Sequence, residues 1–398
     1  LKKHWQWLLG GLIILITFTI GTVIFLTQRP TATTTVNKAM VARHYRVWQR
    51  MYLRGDRRAK FVVTSDHEEH TQTLSEAQGY GMLIAVLAAQ QGLGKQKTFD
   101  QLTRYYLDHR LGADNPLMAW RQRENRDGRM VSTGSEKSSA TDGDLDIAYA
   151  LILADEQWGS GGKLNYGQLA RTLIAAIAQR EINPVTRLPR VGDWATDAQT
   201  NDLVRSSDLI TAYYRKFARY TRDGSWTQVA QNSQAVLKGL SGQHQTGLMA
   251  DFVTVRGGDL QLGTVKPKQV DSEYDDRYGF NACRVPWRVA YDYQLNHSKV
   301  SYDVVTKMLG FFKHCKRQGT VHSLAGKPLE KYNSAAFTTP IAYAAEVVGN
   351  KQLSQRYAPE LNGSLLKQGY YPATIHMVTL LTSGTISHAK TQSTGWFR

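Results

Sequence analysis

Apolar residues recur at helical spacing along almost the whole chain. The pattern predicts helices over 36–53, 76–90, 99–109, 144–158, 166–180, 208–220, 226–240, 286–295, 302–314, 335–348 and 371–382. Runs of strand-like alternation are rare. Clusters of Gly, Asp, Asn and Ser separate the segments. Two segments, GMLIAVLAA and LDIAYALILA, are apolar on nearly every side. A helix of that kind is buried all round, so it belongs to an inner layer covered by other helices. The expected fold class is all-α, about a dozen helices in one domain over 38–398.

The first residues read differently. Residues 8–26, LLGGLIILITFTIGTVIFL, carry no charge. That run approaches the ~20 apolar residues that span a bilayer. It exceeds the ~7–15 of a signal-peptide core, and no small-x-small cleavage site follows Leu26. The expectation is a transmembrane anchor over 8–27, with 1–7 in the cytoplasm behind Lys2 and Lys3. A polar linker over 28–37 then leads to a domain outside the cell membrane. Secretion after signal cleavage is the alternative.

Composition narrows the function. The formal charge is +16, yet there is no long basic run and no nucleic-acid motif. Nucleic acid is therefore not expected as a partner. A cationic surface attracts anionic cell-surface polymers and disfavours a polycationic substrate. Only Cys283 and Cys315 are present, so this is no disulfide scaffold. One bridge between them and two reduced, buried thiols both stay open. The 9 Trp and 20 Tyr fill a core or stack on sugar rings. No GxSxG, HExxH, P-loop or paired Cys ligands occur. His67 and His70, in DHEEH, lack zinc spacing and read as a solvated loop. Neither a metal nor a cofactor is expected.

Several segments carry candidate chemistry. In SEAQGYGM, Ser75 suits a helix N-cap and Glu76 the first turn. Glu76 is a capping carboxylate or an acid with work to do. Gly79 and Gly81 each cost about 1 kcal/mol in a helix relative to Ala, which suggests close approach of a backbone or a ligand. In ATDGDLDIAYAL, three acids alternate before an apolar helix, with Thr141 or Asp142 as its cap. A calcium loop is excluded, because Ile147 and Leu153 stand where Gly and Glu are required. Acids crowded there suit a cleft that pushes carboxylate pKa values apart. In FNACRVPWR, Pro286 fits a first helical turn, and Arg284 and Arg288 pair with buried acids. Trp120, in LMAWR, is a sugar-stacking platform or a core residue. In RSSD, Ser207 or Asp208 caps the helix that follows.

Together these segments resemble glycoside hydrolase family 8. The run ATDGDLDIAYALILADEQW fits that family's signature along its whole length, ending on Trp158. SEAQGYGM, LMAW and NACRVPWR follow the family's order at fitting separations, over 36–382. The resemblance implies an (α/α)6 barrel and endo-acting, inverting hydrolysis of β-linked polysaccharide. Inversion uses one carboxylic acid and one carboxylate base, about 6.5–9.5 Å apart. By resemblance Glu76 is the general acid and Asp142 holds the distorted sugar at the scissile position. Tyr80 and Trp120 look like substrate contacts, and Arg284 and Asn281 like residues of the cleft.

Asn281 departs from much of the family, which has an Asp base there. An amide cannot accept the proton. A subgroup with Asn at that place, typified by chitosanases and lichenases, takes its base from a loop inserted upstream. Asp271 stands in that loop, and Tyr278 and the RSSD element match the subgroup. Asp271 is therefore the expected general base, with Glu273 and Asp276 as fallbacks. The subgroup usually has Glu there, one methylene longer. The expected protein is a membrane-anchored monomer that cleaves β-1,4 or mixed-linkage glucan. Chitosan and a self-produced exopolysaccharide are the alternative substrates. A polysaccharide-binding protein without activity is the rival that Asn281 motivates and Glu76 opposes.

Overall fold

The computed structural model describes residues 37–65, 70–315 and 319–393. The predicted anchor, most of the linker and His67 lie outside them. Among the described residues no helix is long and apolar enough to cross a membrane. Lys38–Arg398 form one compact unit.

Twelve helices are present among the described residues. They are α1 (Lys38–Tyr52), α2 (Ser75–Gln90), α3 (Gln96–Asp108), α4 (Thr141–Trp158), α5 (Tyr166–Arg180) and α6 (Thr211–Thr221). After these come α7 (Ser225–Gln243), α8 (Val285–Asn296), α9 (Lys299–His314), α10 (Ala335–Val347), α11 (Lys351–Leu361) and α12 (Tyr370–Ser393). The even-numbered helices pack each against the next, and α12 packs back against α2, closing an inner ring. Each is backed by an odd-numbered helix, α1 behind α12 and α3 behind α2. The result is the double ring of an (α/α)6 barrel.

The sequence explains which helix goes where. In α4 every residue from Thr141 to Ala154 is buried, as an inner helix requires. In α1 the buried side chains Val41, Tyr45, Trp48 and Tyr52 form one stripe, as an outer helix requires. Helices α2 and α4 pack against each other at glycines. A Cβ on Gly79 would meet Asp146 Cβ at 2.7 Å and Gly143 O at 3.0 Å. A Cβ on Gly143 would meet the Ser75 carbonyl carbon at 2.6 Å and Glu76 N at 2.8 Å. These glycines let the starts of α2 and α4 touch, which brings Glu76 beside Asp142. Gly143→Ala is expected to destabilise the protein by about 1–3 kcal/mol through overpacking, although Ala is the better helix former. A urea midpoint at or above the wild-type value would contradict this.

Three small antiparallel sheets sit over the ring. They comprise β1 (Leu53–Gly55) with β2 (Lys60–Val62); β3 (Gln72–Leu74), β4 (Arg121–Glu124) and β5 (Met130–Val131); and β6 (Leu203–Arg205), β7 (Phe252–Arg256) and β8 (Gln261–Thr264). Strands this short leave no alternation to read. Two registers matter for the site. Leu74 pairs with Arg121, so Ser75 N donates to Trp120 O at 2.9 Å. Arg205 pairs with Phe252, so Ser206 N donates to Asp251 O at 3.0 Å.

Some local expectations fail. Helix α11 has no counterpart in the predicted set. Its buried stripe is only Leu353, Tyr357 and Leu361, and Pro359 interrupts it. Ser75 does not cap α2; it is the first helical residue, after Leu74. Thr141 and Asp142 lie inside α4, after Ala140. Ser207 and Asp208 form a separate 3-10 turn, and α6 begins at Thr211 without a side-chain cap. At α2 and α4 a distant carbonyl takes the first N–H instead, Trp120 O from Ser75 and Val191 O from Thr141, whereas Thr211 of α6 donates to the local Leu209 O. Pro286 does lie in the first turn of α8. Cys283 and Cys315 are not joined, and Cys283 is buried.

Candidate active site

The N-terminal ends of the inner helices converge on one spot. Glu76 comes from the first turn of α2, Asp142 from that of α4, and Tyr370 opens α12. Asp208 lies just before α6, and Asn281 and Arg284 just before α8. Helix N-termini carry a partial positive charge, which favours carboxylates there.

Arg284 is the hub, at 1% exposure. Its Nη1 reaches Glu76 Oε2 at 3.0 Å, Asp142 Oδ2 at 3.0 Å and Tyr80 Oη at 2.8 Å. Its Nη2 donates to Asn281 Oδ1 at 2.7 Å. A second guanidinium, on Arg205, lies 3.2 Å from Asp142 Oδ1 and 3.0 Å from Asp208 Oδ2. Tyr370 Oη donates to Glu76 Oε1 at 3.2 Å.

These contacts separate the carboxyl groups electrically. Burial raises Glu76, and Asp142 raises it further, against the pull of Arg284. Burial works on Asp142 as well, but Arg205 and Arg284 outweigh it and hold that carboxyl below its ordinary value. Burial lifts Asp208 to about 6 despite Arg205. One group is thus kept as a proton carrier and its neighbour as an anion, the arrangement that acid catalysis beside a fixed charge requires.

A cavity of about 560 Å³ opens above, lined among others by Glu76, Trp120, Asp142, Trp194, Asp271 and Asn281. A larger groove of about 1020 Å³ lies elsewhere, with Glu124 as its one acid among the described lining residues. Size alone therefore does not locate the chemistry. In the smaller cavity, Arg121 lies 4.4 Å over the Trp120 ring, and Trp120 Nε1 donates to Ser135 O. Trp194 is 46% exposed. A small apolar cluster of Val191, Ala195, Leu203, Phe252 and Val265, with Val270 against it, seats the loops carrying Trp194 and Asp271.

The expected residues divide into three groups. Glu76, Asp142, Trp120, Asn281 and Asp271 share the cavity. Tyr80 and Arg284, expected to touch substrate, do not line it: both are buried, Arg284 donates to the Glu76 and Asp142 carboxyls, and Tyr80 Oη accepts from Arg284. The fallback bases are also displaced. Glu273 is exposed and does not line the cavity. Asp276 pairs with Arg277 at 2.7 Å and lines a separate pocket beside Leu240 and Met249. Arg288 does pair with a buried acid, Asp146, at 2.6 Å.

Sequence reasoning missed other residues. Asp275, fully buried, accepts backbone N–H groups from Val270, Asp271 and Ser272, and so fixes the Asp271 loop. Asp251 accepts from Gly279, Asn281 and Ala282 through Oδ1, and so fixes the Asn281 turn; burial lifts it to about 7. The acid-rich DSEYDDRY run contained the first signal, but nothing local separates Asp275 from its neighbours. Arg205 and Asp208 stood in a segment read as a cap.

Known proteins place the chain in a family. The family model for glycosyl hydrolases family 8 matches residues 19–385. A β-glucanase of Niallia circulans is 32% identical over 347 residues, covering 84% of this chain and 81% of that protein. Endoglucanase A of Acetivibrio thermocellus is 32% identical over 332 residues, covering 80% of this chain and 63% of that one. The apo structure of a β-1,3-1,4-glucanase from Paenibacillus sp. X4 matches with a TM-score of 0.78 at 29% identity, over 87% of this chain and 91% of that one. With the match spanning the barrel and its converging carboxylates, this chain belongs to glycosyl hydrolases family 8 and is an inverting glycoside hydrolase.

Proposed function

We propose that the protein is an endo-acting β-glucanase, held at the outer face of the cell membrane, that cleaves β-1,4 or mixed-linkage glucan. The observation that carries the reading is the pairing of a proton-holding Glu76 with an anionic Asp142 at the cleft floor. Glu76 protonates the leaving oxygen. Asp142, fixed between Arg205 and Arg284, holds the sugar ring at the scissile position and steadies the developing positive charge. Asp271 takes the proton of the attacking water. Asn281 has its oxygen engaged by Arg284, so its NH2 group is left to orient that water or a sugar hydroxyl. Trp120 and Trp194 stack on sugar faces.

The glucan assignment is supported by the β-glucanase relatives at 32% and 29% identity. The anchor is supported by the uncharged run 8–26 behind Lys2 and Lys3. One experiment tests both. The full chain is expressed beside Glu76→Gln, membranes and supernatant are separated, and new reducing ends are measured on mixed-linkage glucan, a soluble cellulose derivative, β-1,4-xylan and chitosan. Activity is expected on the glucans, in the membrane fraction after a salt wash, and absent from the variant. Faster release from chitosan or xylan would overturn the substrate. Polymer binding without new reducing ends would favour the binding protein. Activity in the supernatant alone would overturn the anchor.

A further inference from the structure

Beneath the cleft lies a second acid cluster that this chemistry leaves unused. Asp144, in the first turn of α4, and Glu181, just after α5, are both fully buried. One oxygen of each is satisfied. Asp144 Oδ1 accepts from Met118 N at 2.9 Å, and Glu181 Oε1 accepts from Ser139 Oγ at 2.5 Å. The remaining oxygens, Asp144 Oδ2 and Glu181 Oε2, are buried without a well-formed hydrogen bond, the Thr141 hydroxyl stands beside Glu181, and the two carboxyl groups lie within hydrogen-bonding reach of each other. Ionised carboxylates only accept, so such a contact holds when one of the pair carries a proton.

Each half of the pair leads to one tryptophan. Met118, held by Asp144, lies two residues before Trp120, whose own N donates to Ser138 O at 2.8 Å. Ser139, held by Glu181, donates its N to Asp193 Oδ1 at 2.8 Å, and Asp193 N donates to Ser139 Oγ at 3.0 Å. Asp193 directly precedes Trp194. A Cβ on Gly192 would fall 2.4 Å from Ser139 O, so these two segments are in backbone contact.

We propose that Asp144 and Glu181 share one proton and act as a single positioning pair that sets the placement of Trp120 and Trp194 around the cleft. This rests on the reading of those tryptophans as sugar platforms. The charged groups facing the pair are acids, Asp193 and Asp208, with the phenols of Tyr106 and Tyr214 alongside. No cation among them compensates a second negative charge. Loss of the shared proton places two buried charges together, and the segments hung from them separate.

The test uses the full chain and two variants, Asp144→Asn and Glu181→Gln. Either amide supplies an N–H donor to the remaining carboxylate at every pH. The first readout needs no substrate. Burial and Asp193 raise Glu181 from 4.5 to about 8, against the Ser139 hydrogen bond. Its contribution to stability is complete below pH 4.5 and is lost as pH rises through about 8. The wild-type melting temperature should therefore fall relative to each variant across that window. A constant gap overturns the shared proton. The second readout is acrylamide quenching of Trp194, taken by difference from Trp194→Phe. It should increase with pH in the wild type and stay flat in the two variants; equal behaviour overturns the positioning role. The third is KM on glucan, which should rise about threefold or more toward pH 8.5 in the wild type alone, while each variant keeps wild-type kcat near pH 6. Parallel KM profiles overturn a role in substrate binding. If no polymer is cleaved at all, the first two readouts still decide the pair, and the glucanase reading fails separately.

Discussion

Glu76→Gln is expected to lower kcat on glucan by about a thousandfold, within the ~10²–10⁴ that a positioned general acid contributes, with little change in KM. Gln keeps the shape and an oxygen for Arg284 Nη1, now 3.0 Å from Glu76 Oε2, while Tyr370 Oη, 3.2 Å from Oε1, can turn to accept from the amide NH2. It has no proton to give. The pH profile adds a second signature. Burial, with Asp142 beside it, raises the Glu76 carboxyl to about 7 against the pull of Arg284. The acid works only while protonated, so wild-type kcat/KM should fall about tenfold per unit as pH rises above that value. The residual activity of the variant should lack this alkaline limb. An activated aryl glycoside, whose leaving group departs without a proton, should lose far less than the polymer. Equal losses on both substrates, with the alkaline limb intact, would show that Glu76 holds substrate rather than protonating it.

The sequence already exposed the barrel's inner helices, because residues such as those of LDIAYALILA are apolar all round. It exposed Glu76 and Asp142 because both sit at the starts of such helices. What it hid has a common physical origin. Arg284 meets Glu76 across 208 positions and Asp142 across 142, and no local pattern records such pairings. That is why Tyr80 and Arg284 read as cleft residues when Arg284 is the buried partner of the carboxyls and Tyr80 accepts from Arg284. The capping expectations failed for a related reason. Ser75 N is satisfied by Trp120 O, just before β4, so the start of α2 needs no side-chain cap. Trp194 carried no signal at all: its exposure depends on a small cluster assembled from Val191, Ala195, Leu203 and Phe252.

Asp271→Asn is the second large effect expected, a fall in kcat of about 10²–10³ with KM nearly unchanged. The structure separates Asp271 from its neighbours by placement. Its side chain is exposed and lines the cavity that holds Glu76. Its backbone N–H is fixed by Asp275, so the loop is tied down while the carboxylate stays free to meet water. It is also close enough for its charge to act on Arg205, the guanidinium that grips Asp142. Glu273→Gln and Asp276→Asn should leave turnover within about twofold, because neither side chain lines that cavity. Azide offers a sharper test than loss of rate. It needs no base, and it can attack the anomeric carbon from the side the water used while Glu76 still protonates the departing oxygen. Added azide should therefore restore part of the Asp271→Asn rate and yield a glycosyl azide of inverted configuration. It should not restore Glu76→Gln on the polymer, whose defect lies on the leaving side. Turnover near the wild-type level in Asp271→Asn would remove this loop from the mechanism. Asn281 cannot then take its place, because its oxygen is held by Arg284 and an amide accepts no proton.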